Sequence, residues 1–477
     1  MTLSYSLFFY YFLKKERKTK NIVDFYLLLM YNRVNINSFN EYGMNGVNQM
    51  KYNIIDFGAE MSDKLQTKQI QAAIDRCYLD GGGEVIIPAG IYRTGSIRLR
   101  SNVTLHLLSG AILEGSDNPD DYNSYNDSEI EPIEIYPQGD EMRSVYPFSR
   151  WNNGIIRAFY AENIAIIGDE NSYIDGVNCY DPEGEEGYRG PHGINMHFCK
   201  NIRFEGYTFR NSANWAHAIQ KSSNITVKNI TVHGGHDGFD VRTCENILIE
   251  DCEFYSGDDA IAGYDNYDVL IRNCILNCSC HSLRIGGTDV VVENCEIQGN
   301  ARYGHRYTMT ADEKARRLMT TDKNNHITMA IFNYYCDNRA NPRKVPGNMV
   351  IRNCKIDGGD CIYMNLFGSI WTKNRELEHL RIENCTFTNM QKGTLFIQQG
   401  DEANNGGKMV LELENVTISA KDGIEDTPFM TARYFDKIIF KNVIANGFRN
   451  LDVIKELGVS DGEVVIENSS PFVVKNV

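Results

Sequence analysis

Asn246-Ile247-Leu248-Ile249-Glu250-Asp251-Cys252-Glu253-Phe254 is answered further along by Asp268-Val269-Leu270-Ile271-Arg272-Asn273-Cys274-Ile275-Leu276, and then by Asp289-Val290-Val291-Val292-Glu293-Asn294-Cys295-Glu296-Ile297. An earlier copy starts at Asn224, so successive starts lie 22, 22 and 21 residues apart. Weaker copies start at Asn163 and Asn201, and later ones at Asn348, His379, Met409 and Lys437. Apolar and polar residues alternate within each copy, as in a half-buried strand, while the Asn, Asp and Gly between copies supply turns. A step of about 22 residues is too short for a strand-helix-strand unit, so each repeat must consist of short strands joined by turns. Such units stack as coils of an all-β solenoid, the right-handed parallel β-helix, in which neighbouring coils bury one another's core. One solenoid of this kind accounts for residues 50–477, with an insertion at about 300–347.

The other sequence features fit that frame. Cys252, Cys274, Cys295, Cys354 and Cys385 hold one repeat phase, which predicts an inward ladder of small hydrophobes. Cys278-Ser279-Cys280-His281 invites a competing zinc reading, but thiols recurring at one phase are read as packing, so neither metal nor cofactor is expected. Apolar residues at Ile70, Ala73, Ile74 and Cys77 predict a helix from Gln66 to Asp80, ended by Gly81-Gly82-Gly83, that caps the N-terminal end of the solenoid. In residues 1–49 the aromatic run Phe8–Phe12 precedes its lysines rather than following them, the reverse of a secretory signal. That segment is expected to be disordered or a non-native extension. With free cysteines and no recognised signal, the expected location is cytoplasmic.

Forty-eight Lys and Arg stand against 63 Asp and Glu, a net charge of −15. This excludes a phosphate-tracking nucleic-acid binder and argues against docking on anionic membranes. Composition leaves the oligomeric state open.

The repeat also predicts which side chains are neighbours, because residues one step apart occupy adjacent coils. Asp237, Asp259 and His281 are spaced 22 and 22 residues apart and should form one column, with His236 and Asp258 beside it. Two residues on, Phe239, Ile261 and Leu283 should point inward, which turns Asp240, Ala262 and Arg284 outward beside the carboxylates. Crowded aspartates raise one another's pKa, keeping one protonated while another stays ionised, which is the equipment for glycoside hydrolysis. Arg284 is the candidate substrate clamp, Tyr264 and Asp265 are placed to wall the cleft, and Trp215, one coil before Asp237, is a candidate sugar-stacking face. His192 and His217 are read as structural. The insertion carries Arg302, His305, Arg306, Lys314, Arg316, Arg317 and Lys323, from which Arg306 is a further candidate cation; Glu313–Arg317 reads as a solvated helix.

From Tyr52 to about Asn300 the chain resembles glycoside hydrolase family 28, the polygalacturonases and their relatives. The likeness rests on Asp56-Phe57-Gly58-Ala59, Gln71-Ala72-Ala73-Ile74-Asp75, Gly81-Gly82-Gly83, Val85-Ile86-Ile87-Pro88-Ala89-Gly90, Asn102-Val103-Thr104-Leu105 and Gly115-Ser116-Asp117. It continues through Asn211-Ser212, Trp215, His236-Asp237-Gly238, Gly257-Asp258-Asp259-Ala260-Ile261-Ala262 and His281. It implies a right-handed parallel β-helix in which Asp258 protonates the glycosidic oxygen. Asp237 and Asp259 would then activate water from the other face, with inversion, and His281 would bond near the catalytic Asp or the substrate. Inverting pairs stand about 6.5–9.5 Å apart.

The chain departs from the family at His236, which replaces Thr, and at Cys280-His281-Ser282, which replaces Gly-His-Gly. It also lacks the Arg-Ile-Lys that holds the uronate carboxylate, its place being taken by His326–Phe332. The expected function is therefore inverting hydrolysis of an acidic oligosaccharide related to pectin or rhamnogalacturonan. Two other classes compete: a non-catalytic carbohydrate-binding solenoid, and a polysaccharide lyase, which would need a cation and a basic residue as base.

Overall fold

The computed structural model describes residues 50–124, 150–181, 188–304, 326–334, 347–365, 377–398, 409–456 and 462–477. Residues 1–49 and most of the insertion, Arg306 included, lie outside them. The described residues form 35 strands joined in one parallel stack, the strands between the end coils pairing with those of the coils before and after them. The repeat is the physical cause. Its apolar positions fall in register from coil to coil: Ile247 pairs with Val269, which pairs with Val290, and Val290 pairs with Met349 across the insertion.

The Asn that opens several of the copies has a geometric role. Asn163, Asn201, Asn224 and Asn246 all adopt left-handed backbone angles, with φ between 55° and 57°. Asn tolerates that region better than other side chains. Its amide is then free to reach along the stack: Nδ2 of Asn201 donates to Oδ1 of Asn163 (2.7 Å), Asn224 to Asn201 (2.8 Å) and Asn246 to Asn224 (3.0 Å). The repeated cysteines are buried and free, as expected. Each of the five donates from Sγ to the carbonyl two residues earlier, at 3.1–3.3 Å.

Helix α1 (Thr67–Leu79) buries Ile70, Ala73, Ile74 and Cys77 and packs on the first strands. Two of the glycines that follow it are required by space, since a Cβ on Gly82 would sit 2.4 Å from the carbonyl oxygen of Asn102 and one on Gly83 2.4 Å from that of Met50.

Seven strands in successive coils build the face that carries the polar cluster: β1 (Gly154–Phe159), β2 (His192–His197), β3 (His217–Gln220), β4 (Phe239–Arg242), β5 (Ile261–Arg272), β6 (His281–Glu293) and β7 (Ala330–Asn333). Phe239 pairs with Ile261, Ile261 with Leu283 and Leu283 with Phe332, all in the core. The outward line runs Arg157, Asn195, Ala218, Asp240, Ala262, Arg284, Asn333. Gly263, at φ +134°, lies where the pairing of β5 with β6 shifts by one residue; a Cβ there would collide with the carbonyl of Val241. His217 faces inward and is a satisfied core residue. Its Nδ1 meets the Gly238 carbonyl at 3.1 Å and its Nε2 the Tyr207 hydroxyl at 2.8 Å. Burial lowers its pKa to about 4.

Candidate active site

The corners before β4, β5 and β6 place the polar cluster. Backbone bonds carry the register through them: Ala216 N–H donates to the Asp237 carbonyl, Gly238 N–H to that of Asp259 and Ala260 N–H to that of His281, at 2.9–3.0 Å. Asp237, Asp259 and His281 therefore stack in one column, with His236 and Asp258 one residue earlier on their coils. Each of Asp237, Asp258 and Asp259 brings an oxygen within 4.8 Å of the others. This is tighter than the 6.5–9.5 Å expected of an inverting pair, because adjacent coils hold side chains of one column at strand spacing.

The three carboxyls differ in surroundings. Asp259 is 1% exposed and anchored at both oxygens. Its Oδ1 accepts from the His281 backbone N–H (3.0 Å) and ring Nδ1 (2.8 Å), and its Oδ2 from Arg284 (3.3 Å). Asp237 is 3% exposed, and its Oδ1 accepts from the Asp259 N–H at 3.3 Å. Burial first, then the charges of Asp258, Asp259 and Asp240, push its carboxyl well above the usual range, with Arg284 opposing them. Asp258 is the accessible member, its side chain 21% exposed. His236 Nδ1 is 3.7 Å from its Oδ2, too far for a hydrogen bond. That Nδ1 lies 3.2 Å from an Arg189 N–H. A guanidinium can only donate, so Nδ1 accepts and the ring proton sits on Nε2.

A pH-dependent stability follows for Asp237. A carboxyl whose pKa is raised by folding stabilises the fold below its ordinary value, about 3.9, and this contribution is lost as pH rises through the raised value. Asp237→Asn keeps an oxygen for the Asp259 N–H and does not ionise. Thermal melts should therefore show the variant more stable than the native sequence at pH 7, with the gap closing towards pH 4. A variant less stable at pH 7 would contradict this account of the cluster.

Four predicted substrate contacts are engaged elsewhere. Arg242 forks onto Asp240, Nε to Oδ1 at 2.7 Å and Nη2 to Oδ2 at 3.1 Å, because residues two apart on a strand share a face. Its guanidinium lies 4.1 Å from the Trp215 ring centre and 5.0 Å from that of Tyr264. Trp215 also meets Trp151 edge-on at 5.7 Å. Asp240, Trp215 and Tyr264 thus form a buried platform rather than an open sugar-stacking wall. The fourth, Arg284, braces Asp259 but keeps 30% of its side chain exposed, so it can still present a cation to ligand. His281 completes the site with Nε2 at 3.3 Å from the Asn333 amide nitrogen and Nδ1 at 3.1 Å from Cys280 Sγ. Burial and the charges of Asp259 and Asp258 raise the Cys280 thiol well above its usual range.

Arg189 and Asn333 were not singled out from sequence. Arg189 lies outside the repeated phrase. Asn333 lies within the span expected to be insertion, 300–347, where the structure instead has a strand of the stack, and it stands 49 residues after its strand partner Arg284, where counting by repeats fails.

An all-parallel stack of coils with a buried carboxylate cluster on one outer face defines a right-handed parallel β-helix with a candidate acid–base site. Residues 162–317 match the family described as a right handed beta helix region. A probable polygalacturonase of Vitis vinifera is 29% identical over 232 residues, 45% of this chain and 45% of that protein. The exo-poly-alpha-D-galacturonosidase of Dickeya chrysanthemi is 29% identical over 249 residues, 44% of this chain and 41% of its own length. The chain thus spans less than half the length of these relatives. In fold it matches the family 28 exopolygalacturonase of Yersinia enterocolitica with a TM-score of 0.61 at 19% identity, over 91% of this chain and 80% of that one. The chain is a right-handed parallel β-helix with sequence similarity to polygalacturonases.

Proposed function

We propose that this protein is a glycoside hydrolase that cleaves a glycosidic bond in an acidic, pectin-related oligosaccharide with inversion. The observation that carries the reading is the division of labour within three aspartates whose oxygens lie within 4.8 Å. Burial and neighbouring charge keep one proton in the cluster, with Asp237 its resting holder. In the reaction that proton passes from Asp237 to Asp258, the more accessible member, which gives it to the leaving oxygen and leaves Asp237 ionised to take a proton from the attacking water. Asp259, its oxygens fixed by His281 and Arg284, and Asp237 orient water.

Inversion is favoured by access. Two of the three carboxyls are almost wholly buried, so neither can touch an anomeric carbon directly, whereas a water between them and the sugar can. A carbohydrate-binding solenoid would have no use for a carboxyl as desolvated as Asp237, since burying it is costly and ligand hydroxyls are bound as well by neutral groups. The polygalacturonase-named relatives support a uronate-containing substrate, and Arg284 is a partly exposed cation beside the carboxylates that would meet its carboxylate.

The test is reducing-end release from a panel of pectic oligosaccharides with EDTA present, and the anomer first formed, read by proton NMR. EDTA-resistant release with an inverted product is expected. A retained configuration would overturn the assignment of water as nucleophile. Binding of a panel member without turnover would replace the hydrolase with a binding solenoid.

A further inference from the structure

One thiol near the cluster is unlike those of the ladder. The ladder cysteines turn Sγ to backbone carbonyls in the core, and Cys278 lies deep beside Ser282, at 4.0 Å. Cys280 instead occupies the corner row one residue before the catalytic column, after His236 and Asp258. Its Sγ is 3.1 Å from His281 Nδ1, which is 2.8 Å from Asp259 Oδ1. Sulfur, ring nitrogen and carboxylate oxygen all lie within 4.8 Å of one another. A tetrahedral ion with ligands at about 2.0–2.3 Å holds them roughly 3.3–3.8 Å apart, so small side-chain movements suffice. The mixed donor set suits a borderline-soft cation and not Mg²⁺ or Ca²⁺, which take oxygen ligands.

The outer shell is present as well. A ligating histidine donates its other N–H to a fixed partner, and the Asn333 amide stands 3.3 Å from Nε2. Turning that amide about Cβ–Cγ offers its oxygen to an Nε2–H. Arg284 holds the other oxygen of Asp259, at 3.3 Å, leaving Oδ1 for the ion.

We propose that Cys280, His281 and Asp259 form a binding site for a divalent cation of the Zn²⁺ class, and that its occupation stops catalysis at the adjoining carboxylates. On binding, the thiol proton passes to solvent, the imidazole proton moves from Nδ1 to Nε2, and no electrons are transferred. The Asp259 oxygen that would orient water becomes a metal ligand. The inhibitory half rests on the hydrolase reading; the binding half does not.

The test begins with Co²⁺ titration of the EDTA-stripped full chain, followed by absorbance. One equivalent should produce a thiolate-to-cobalt charge-transfer band that Zn²⁺ displaces, that Cys280→Ser abolishes and that Cys278→Ser retains. Asn333→Ala, which alters no ligand, should weaken binding by about 10–100-fold. Zn²⁺ should inhibit reducing-end release, and Cys280→Ser, measured against its own metal-free rate, should need at least about 10-fold more Zn²⁺ for the same inhibition. No band, or a band that survives Cys280→Ser, overturns the site, and Zn²⁺ binding with undiminished turnover overturns the inhibition. A chain that shows the band yet hydrolyses nothing supports the site and defeats the hydrolase reading.

Discussion

Asp258→Asn is expected to lower kcat for reducing-end release by on the order of 10²–10⁴-fold, the usual contribution of a positioned general acid, with KM little changed. The loss should be confined to chemistry because Asp258 is the accessible carboxyl of the cluster, with 21% of its side chain exposed. Neutralising it also removes one of the charges that raise the pKa of Asp237, so the melting temperature should not fall. Steady-state kinetics beside a thermal melt distinguishes this from misfolding. An Asp258→Asn enzyme of near-native activity would transfer the acid role to Asp237, the member whose proton is held by burial.

The largest expected loss of stability is in Phe239→Ala, about 3–5 kcal/mol, read as a shift of the denaturant midpoint. Phe239 is fully buried. It stacks on His217 at 5.0 Å between ring centres and meets Phe204 and Phe254 edge-on at 6.0 and 6.3 Å. Coils on either side cannot close over the cavity without breaking their own register. Because Phe239 opens the strand that carries Asp240 and follows the corner that carries Asp237, activity should fall with stability. Phe239→Leu, which keeps most of the volume, should recover much of both. A midpoint unmoved by the alanine variant would mean that this inward column contributes little to stability.

The sequence was most legible where coil length is constant. Counting steps of 22 placed Asp237, Asp259 and His281 in one column, and alternation sent Phe239, Ile261 and Leu283 into the core, both as observed. The same arithmetic identified the cysteine ladder, and four apolar positions located helix α1. It failed where the period breaks: the partner of Arg284 is Asn333, on a strand inside the span read as an insertion. It also failed where side chains choose among partners. Asp240 and Arg242 are legible as two residues on one face, but their fork beneath Trp215 and Tyr264 depends on rotamers. The closeness of the three aspartates, against a wider expected spacing, is a consequence of strand geometry that a general rule for carboxylate pairs does not contain.

His236, Asp258 and Cys280 share a structural circumstance. Each stands at a corner, where its side chain meets the same position on the rungs above and below rather than the interior. Chemistry written at such corners can be edited one letter at a time. His236 and Cys280 both lie outside the continuous core cluster, so a change at either alters the site before it alters the core. The solenoid therefore separates what keeps it folded from what it does, and lineages built on it can diverge in substrate or control while their cores stay superimposable.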